Sequence, residues 1–260
     1  MAADPSSLTS LVAVAGAALA AGAVNAIAGG GSLISFPTLV AAGLPPVTAS
    51  ITNTVALCPG YLGATLGQRR DLAGQRRRAA YLLPIAAVAG LAGGLLLLRT
   101  DDRAFDAAVP FLLLAAAVLV GVQEPLRARL FGGAVAGDPA RARRAEAWAA
   151  LPVALAGVYG GYFGAGMGVM ILAALGVVLA DTLPRINALK QLVSLVVNVA
   201  AAGLFLASGR IDWTLAAVMA GAALVGGALG GRLASRVPAR ALRRIVVVLG
   251  VAIAIVYFVK

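Results

Sequence analysis

A chain of 260 residues that is 61% hydrophobic and 12% charged is too apolar for an ordinary soluble domain, and a mean hydropathy of +0.96 places it among polytopic membrane proteins. The formal net charge of +11 does not point to nucleic acid. Its arginines fall in short blocks between apolar runs, as in cytoplasmic loops of membrane proteins, with no basic helix or aromatic stacking surface. The lack of histidine, with Cys58 as the one cysteine, excludes Ser-His and Cys-His nucleophile pairs, His-ligated metals, thiolate clusters and an intrachain disulfide. Asp and Glu total ten, nearly all at the ends of apolar runs. No paired carboxylates lie within a span, so neither an enzyme nor a bound cofactor is expected.

Residues 1–68 contain no Lys or Arg, whereas a cleaved leader needs a positive n-region; the segment is therefore read as retained. It holds apolar run A, 8–43, and run B, 47–67. Runs C (79–98), D (104–122), E (147–181), F (186–207), G (213–231) and H (241–259) follow. Most match the roughly 20 residues that cross a bilayer.

Runs A and E are longer than one span, and each is broken by glycine. Gly29, Gly30 and Gly31 lower helix propensity and free the backbone to turn, so that a new helix starts near Ser32 with its first amides unpaired. Run E carries Gly157, Gly160, Gly161, Gly164, Gly166 and Gly168. A broken helix at membrane depth is tolerated only where protein buries it or it lines a cavity. Two breaks at corresponding places point to a transporter's binding site.

The halves align. Gly22–Gly31 matches Gly157–Gly166, Leu44–Ala49 matches Leu183–Ala188, and Arg70-Asp71-Leu72 roughly matches Arg210–Trp213. This divides the chain into a first transmembrane repeat, 1–122, a basic cytoplasmic linker, 123–146, and a second repeat, 147–260.

Positive charge relates the repeats. If A and E each cross once, the best orientation leaves 12 Lys/Arg inside and 9 outside. If the breaks turn A and E into two segments each, the B/C, D/E, E/F and G/H loops share the inside, and the split becomes 17 against 4. The positive-inside bias favours the second arrangement, in which the repeats are inverted. Its arginine-rich loops are cytoplasmic, both termini lie outside, and the location is the inner membrane. The 33–43 segment covers about half of a ~30 Å core at roughly 1.5 Å per residue. A re-entrant hairpin with Pro45 and Pro46, and Pro184 in the second half, at its tip is expected; a tilted short crossing is the alternative.

These residues resemble the sulfite exporter TauE/SafE permeases, also described as sulfonate uptake permeases. The likeness rests on Gly22–Pro37 with its glycine triplet, on Gly43-Leu44-Pro45-Pro46 followed by Thr48–Asn53, on the arginine-rich turn ending at Asp71, and on their repeat at Gly157–Gly168 and Leu183–Lys190. The resemblance implies a multi-span permease for sulfur-containing or other small organic anions. Arg185 stands where the first repeat has Pro46, so the two half-sites are not chemically equivalent.

Anion transport needs a dehydrated polar cavity in which amide donors and a cation replace the hydration shell. The helix starts after Gly31 and Gly166 can supply amides, with Asn25, Gly29, Gly30, Ser32 and Gly164 beside them; the alternative is that the glycines serve close helix packing. Thr48, Ser50, Thr52 and Asn53 form a polar cluster at the start of run B, and Asn187, Lys190 and Gln191 occupy the matching part of run F. Thr48 with Thr52, and Asn187 with Gln191, stand at i and i+4 on one helix face. An ionisable Lys190 deep in a membrane is a functional candidate, pairing with the anion or exchanging a proton; the alternative is a lysine snorkelling to a headgroup. Asn198 serves as a ligand or a helix–helix hydrogen bond. Tyr159 and Tyr162 wall the cavity or pack. Trp148 and Trp213 read as interfacial anchors, and the arginine blocks as topology determinants and lipid contacts. The expected fold is all-α with two inverted repeats, and the expected partners are a small anion, lipids and protons as coupling ion. A cation or metal carrier and a non-transporting scaffold are the rival readings.

Overall fold

The computed structural model describes residues 7–131, 148–179, 181–234, 247–248, 251–252 and 255. Among these the regular structure is entirely helical. Helix α1 spans Leu8–Ile27, α2 Ser32–Ala41, α3 Pro46–Gly67, α4 Arg76–Arg99 and α5 Asp102–Phe131. After the undescribed 132–147 come α6 (Ala150–Tyr162), α7 (Met167–Val178), α8 (Leu183–Phe205) and α9 (Trp213–Leu233). Local chemistry sets these limits. The Ser7 side chain caps α1 by accepting from the Ser10 amide, and Asp212 caps α9 by accepting from the Leu215 amide. Proline at the first turn starts α3 and α8, where its missing N–H would have no helical partner. Helix α5 runs on to Phe131, through the first residues assigned by composition to a linker; the remainder of that linker and most of run H lie outside the described residues.

Among the described residues, five helices are long and apolar enough to cross a membrane: α1, α4, the Asp102–Val122 part of α5, α8 and α9. Helix α3 is long enough but less apolar, because Ser50, Thr52, Asn53, Thr54 and Thr65 lie along it, all buried. Helices α2 and α7 have 10 and 12 residues, about 15 and 18 Å at the helical rise, against a hydrocarbon core of roughly 30 Å.

Each short helix follows a glycine break. A Cβ on Gly31 would overlap the Ala21 carbonyl, so glycine there lets α2 fold back directly along α1. The next turn folds α3 back along α2, and Ser35 Oγ donates to Asn53 Oδ1 across that hairpin at 2.6 Å.

Packing between the halves is reciprocal. Helix α4, from the first half, packs on α6 and α8; α9, its counterpart in the second, packs on α1 and α3. Glycines make both approaches possible. Gly93 lies against the backbone of Val158 and Tyr162 on α6, and Gly94 against Ala201 on α8. In the same way Gly226 lies against Leu19 on α1, and Gly227 against Gly60 on α3. Small residues allow this proximity in an apolar medium, where dispersion rather than water exclusion holds helices together. Each half thus lends a helix to the other.

Ion pairs group the connections at two ends. Arg78 donates to Asp181 Oδ2 at 2.5 Å, Arg185 Nε donates to Asp181 Oδ1 at 2.9 Å, and Arg185 also reaches the Ala73 carbonyl. Gln75 Nε2 donates to the Arg185 carbonyl at 2.9 Å. The α3–α4 and α7–α8 connections therefore share one end of the bundle. At the other, Arg210 pairs with Asp102, joining the α8–α9 and α4–α5 connections. A single crossing by each of runs A and E would have separated the members of both pairs.

Candidate functional site

A helix that stops inside protein leaves its last carbonyls without intrahelical donors. At the end of α1 the Val24 carbonyl is taken by the amides of Ala28 and Gly29, where Gly29 and Gly30 turn the chain at φ +79° and +87°. The Asn25 side chain holds the turn, its Oδ1 accepting from the Gly31 amide at 2.7 Å. The backbone carbonyls of Asn25 and Ala26 remain.

Helix α8 supplies their donors. Lys190 Nζ and Gln191 Nε2 each donate to Asn25 O at 2.9 Å. Asn187 Nδ2 donates to Ala26 O at 2.9 Å and to Gln68 Oε1 at 2.8 Å, while Gln68 Nε2 makes a longer 3.4 Å contact to the same carbonyl. Asn187, Lys190 and Gln191 share one helix face at i, i+3 and i+4, so a single stripe of α8 meets the broken end of α1. Ser194 continues the stripe one turn on.

Lys190 is completely buried, which excludes snorkelling. One of its ammonium hydrogens goes to Asn25 O, and no carboxylate among the described residues pairs with it. A cation is well placed at a helix C-terminus, where the macrodipole is negative, yet among the described residues the other two hydrogens of the group have no acceptor. The neighbouring glycine break completes the surroundings. A Cβ on Gly168 would stand 3.8 Å from Lys190 Nζ, and a Cβ on Gly29 would stand 2.9 Å from the Val169 nitrogen. The two breaks touch, with Lys190 beside the contact.

Further buried atoms are left over. Among the described residues, Asn187 Oδ1, Gln191 Oε1, Ser194 Oγ on α8 and Ser50 Oγ on α3 have no hydrogen-bond partner. Buried polar atoms normally have one. Four of them lie on two helices in contact, enclosed by protein with their hydrogen-bonding capacity unused.

The second break is built differently. Gly164 and Gly166 each have φ +80°, and the turn is pinned by Tyr159 Oη donating to Ala165 O at 2.7 Å. Phe163 makes edge contacts with Phe36, Phe105 and Tyr159, and Phe105 a further one with Tyr162. Tyr159 and Tyr162 thus belong to aromatic packing.

The residues singled out in sequence separate accordingly. Asn25, Gly29, Gly30, Gly31 and buried Ser32 form the first break; Gly164 and Gly166 form the second; Asn187, Lys190 and Gln191 converge on the first. Thr48 is half-buried at the start of α3. Thr52 Oγ1 accepts from the Asp212 amide at the α8–α9 turn, and Asn53 holds α2, so neither is hydrogen-bonded to the Lys190 cluster. Asn198 donates to Ser194 O within α8. Trp148 and Trp213 are exposed, as interfacial anchors would be. Arg78, from the first arginine block, carries an ion pair, as do the isolated Arg185 and Arg210. Sequence reading missed Gln68, a buried glutamine at the end of α3 whose signal was its place just before the arginine block, and the Asn25 backbone carbonyl, which has no side-chain signal.

An all-helical chain with several membrane-length helices and two touching helix breaks around a buried, carboxylate-free lysine belongs to the class of multi-pass membrane transporters. The model of the sulfite exporter TauE/SafE family matches residues 14–257, and the chain belongs to that family. It is 31% identical over 212 residues to a probable membrane transporter protein of Haemophilus influenzae, covering 81% of this chain and 79% of that one. It is 29% identical to the probable membrane transporter protein YfcA of Escherichia coli K12, covering 84% and 77%, and 27% identical to the ORF9 protein of a Sinorhizobium species, covering 92% and 88%. No solved structure matches the chain.

Proposed function

We propose that the protein is a secondary permease for small sulfur-containing or organic anions, such as sulfite or sulfonates, working by alternating access and without enzymatic activity. The observation that carries this reading is Lys190: fully buried, bonded to one backbone carbonyl, without a carboxylate, and set beside the contact of the two breaks. Such a group is expensive to keep in an apolar interior, and a bound anion supplies the missing counter-charge. A cation carrier would place carboxylates there instead. A scaffold has no use for an unpaired buried ammonium.

The exchanged helices support alternating access. Moving α4 carries α6 and α8 with it, and moving α9 carries α1 and α3, so the halves can rock about the α3–α8 contact. The grouping of connections at two ends supports inverted repeats, with the Arg78–Asp181–Arg185 end cytoplasmic by the positive-inside bias and both termini on the other side. Protons are the proposed coupling ion, exchanged at Lys190.

The test is thermal unfolding of detergent-purified protein with sulfite, thiosulfate, sulfonates, sulfate, carboxylates and divalent cations. An anion at 100 times its dissociation constant adds about 2.7 kcal/mol. Stabilisation by one anion class in wild type and none in Lys190→Ala is the expected result; stabilisation by cations alone overturns the reading.

A further inference from the structure

The atoms left over around Lys190 constrain the ligand beyond its charge. Hydrogen-bond logic fixes the orientation of both carboxamides. Asn187 uses its nitrogen to reach Ala26 O and Gln68 Oε1, and Gln191 uses its nitrogen to reach Asn25 O. Two of these acceptors are backbone carbonyls, which cannot donate, so flipping either amide would set oxygen against oxygen. The unpartnered atoms are therefore acceptors, Asn187 Oδ1 and Gln191 Oε1, on residues 6% and 0% exposed.

A simple oxyanion has only acceptors to offer. It can take the remaining hydrogens of Lys190, but against the two amide oxygens it sets lone pairs facing lone pairs. Ser194 Oγ, one turn further on, can donate or accept and does not relieve this. A ligand that answers the whole cluster carries negative charge for Lys190 and an O–H or N–H hydrogen for the amide oxygens.

We propose that the site selects anions that bear a hydrogen-bond donor, such as hydroxy- or amino-substituted sulfonates and carboxylates or a singly protonated oxyanion, over anions of the same size and charge that lack one. The inference rests on the anion reading above and sharpens it. Leaving a buried acceptor unpaired costs roughly as much as one hydrogen bond, so the preference is about tenfold in dissociation constant. Specificity built this way comes from the penalty on the ligand that leaves the site unsatisfied.

Two matched pairs of probes test it: 2-hydroxyethanesulfonate against ethanesulfonate, and glycolate against acetate, titrated by thermal shift and by calorimetry on the purified protein. The expected result is that the hydroxylated member of at least one pair binds about tenfold tighter, and that Gln191→Met brings that ratio towards one. A residue with a purely structural role would weaken both members alike and leave the ratio in place. If Gln191→Met does not fold, the wild-type ratio decides alone, with Asn187→Leu as the second variant. Equal binding of hydroxylated and plain members by wild type overturns the donor preference and leaves the anion site standing. Failure of every anion to bind removes the anion reading and this inference together.

Discussion

Lys190 is held where its chemistry is least comfortable. An ammonium inside an apolar bundle with one carbonyl partner destabilises the fold by an amount of order several kcal/mol, because one neutral acceptor does not replace its hydration shell. With Lys190 in its proposed anion-binding role, function and stability pull in opposite directions at this position. Lys190→Met, close in volume and free of charge, is expected to raise the unfolding temperature of the ligand-free protein while abolishing stabilisation by anions. Lower stability together with a retained anion response would assign Lys190 to capping α1. Asn25 has the opposite sign. Its side chain anchors the Gly31 amide inside protein, so Asn25→Ala is expected to cost about 1–3 kcal/mol, read from the same unfolding curves. Legibility in sequence differed between these two. Lysine within an apolar run declares itself, whereas the Asn25 backbone carbonyl that receives it becomes visible only when the helix end is seen to stop there.

Among the elements, the exchanged helices α4 and α9 depend on backbone approaching backbone. Gly93→Leu and Gly226→Leu would each force a side chain into a facing carbonyl, from Val158 and Leu19, and each is expected to destabilise by at least about 1–3 kcal/mol. Gly221, on the same helix as Gly226, has open space where a Cβ would stand, so Gly221→Leu should fall within about 0.5 kcal/mol of wild type. Equal effects at all three positions would refute the close-packing account. The Arg78–Asp181–Arg185 cluster ties the α3–α4 connection to the α7–α8 connection. Burial alone would raise the Asp181 carboxyl, but hydrogen bonds from Arg78, the Thr182 amide and Arg185, with the Arg185 charge, hold it below its ordinary 3.8. A carboxyl with a depressed folded value contributes stability above its unfolded value and loses it as pH falls. The stability gap between wild type and Asp181→Asn is expected to be flat from neutral pH to about pH 4 and to close below that. A gap that widened on acidification would contradict the assignment.

For the whole molecule, the fold makes a statement about sidedness that labelling can check. In a Cys58→Ser background, cysteines at exposed Ala73 and Thr182 should react with an impermeant reagent from the same side of the membrane, and cysteines at exposed Asp101 and Ala207 from the opposite side. Opposite labelling of Ala73→Cys and Thr182→Cys would break the proposed pairing of connections. By the positive-inside bias, the side that labels Ala73→Cys is expected to be the cytoplasmic one.

Much of this architecture is written locally. Apolar runs of bilayer length, glycine interruptions and arginine blocks are short-range signals, set by the thickness of a membrane and the conformational freedom of one residue type. They suffice to give the helices within a few residues, apart from α5, which runs on to Phe131 past the end of its apolar run, together with the two breaks and Lys190 as the unusual charge. What composition could not give is which helix packs on which. That α4 sits with α6 and α8, that the breaks touch at Gly29 and Gly168, and that Asn187 and Gln191 turn their nitrogens to α1 and leave their oxygens unanswered all depend on contacts across more than fifty residues of chain. Such contacts are decided by which glycine-lined surfaces can approach closely enough to pack, and that is a property of the assembled bundle.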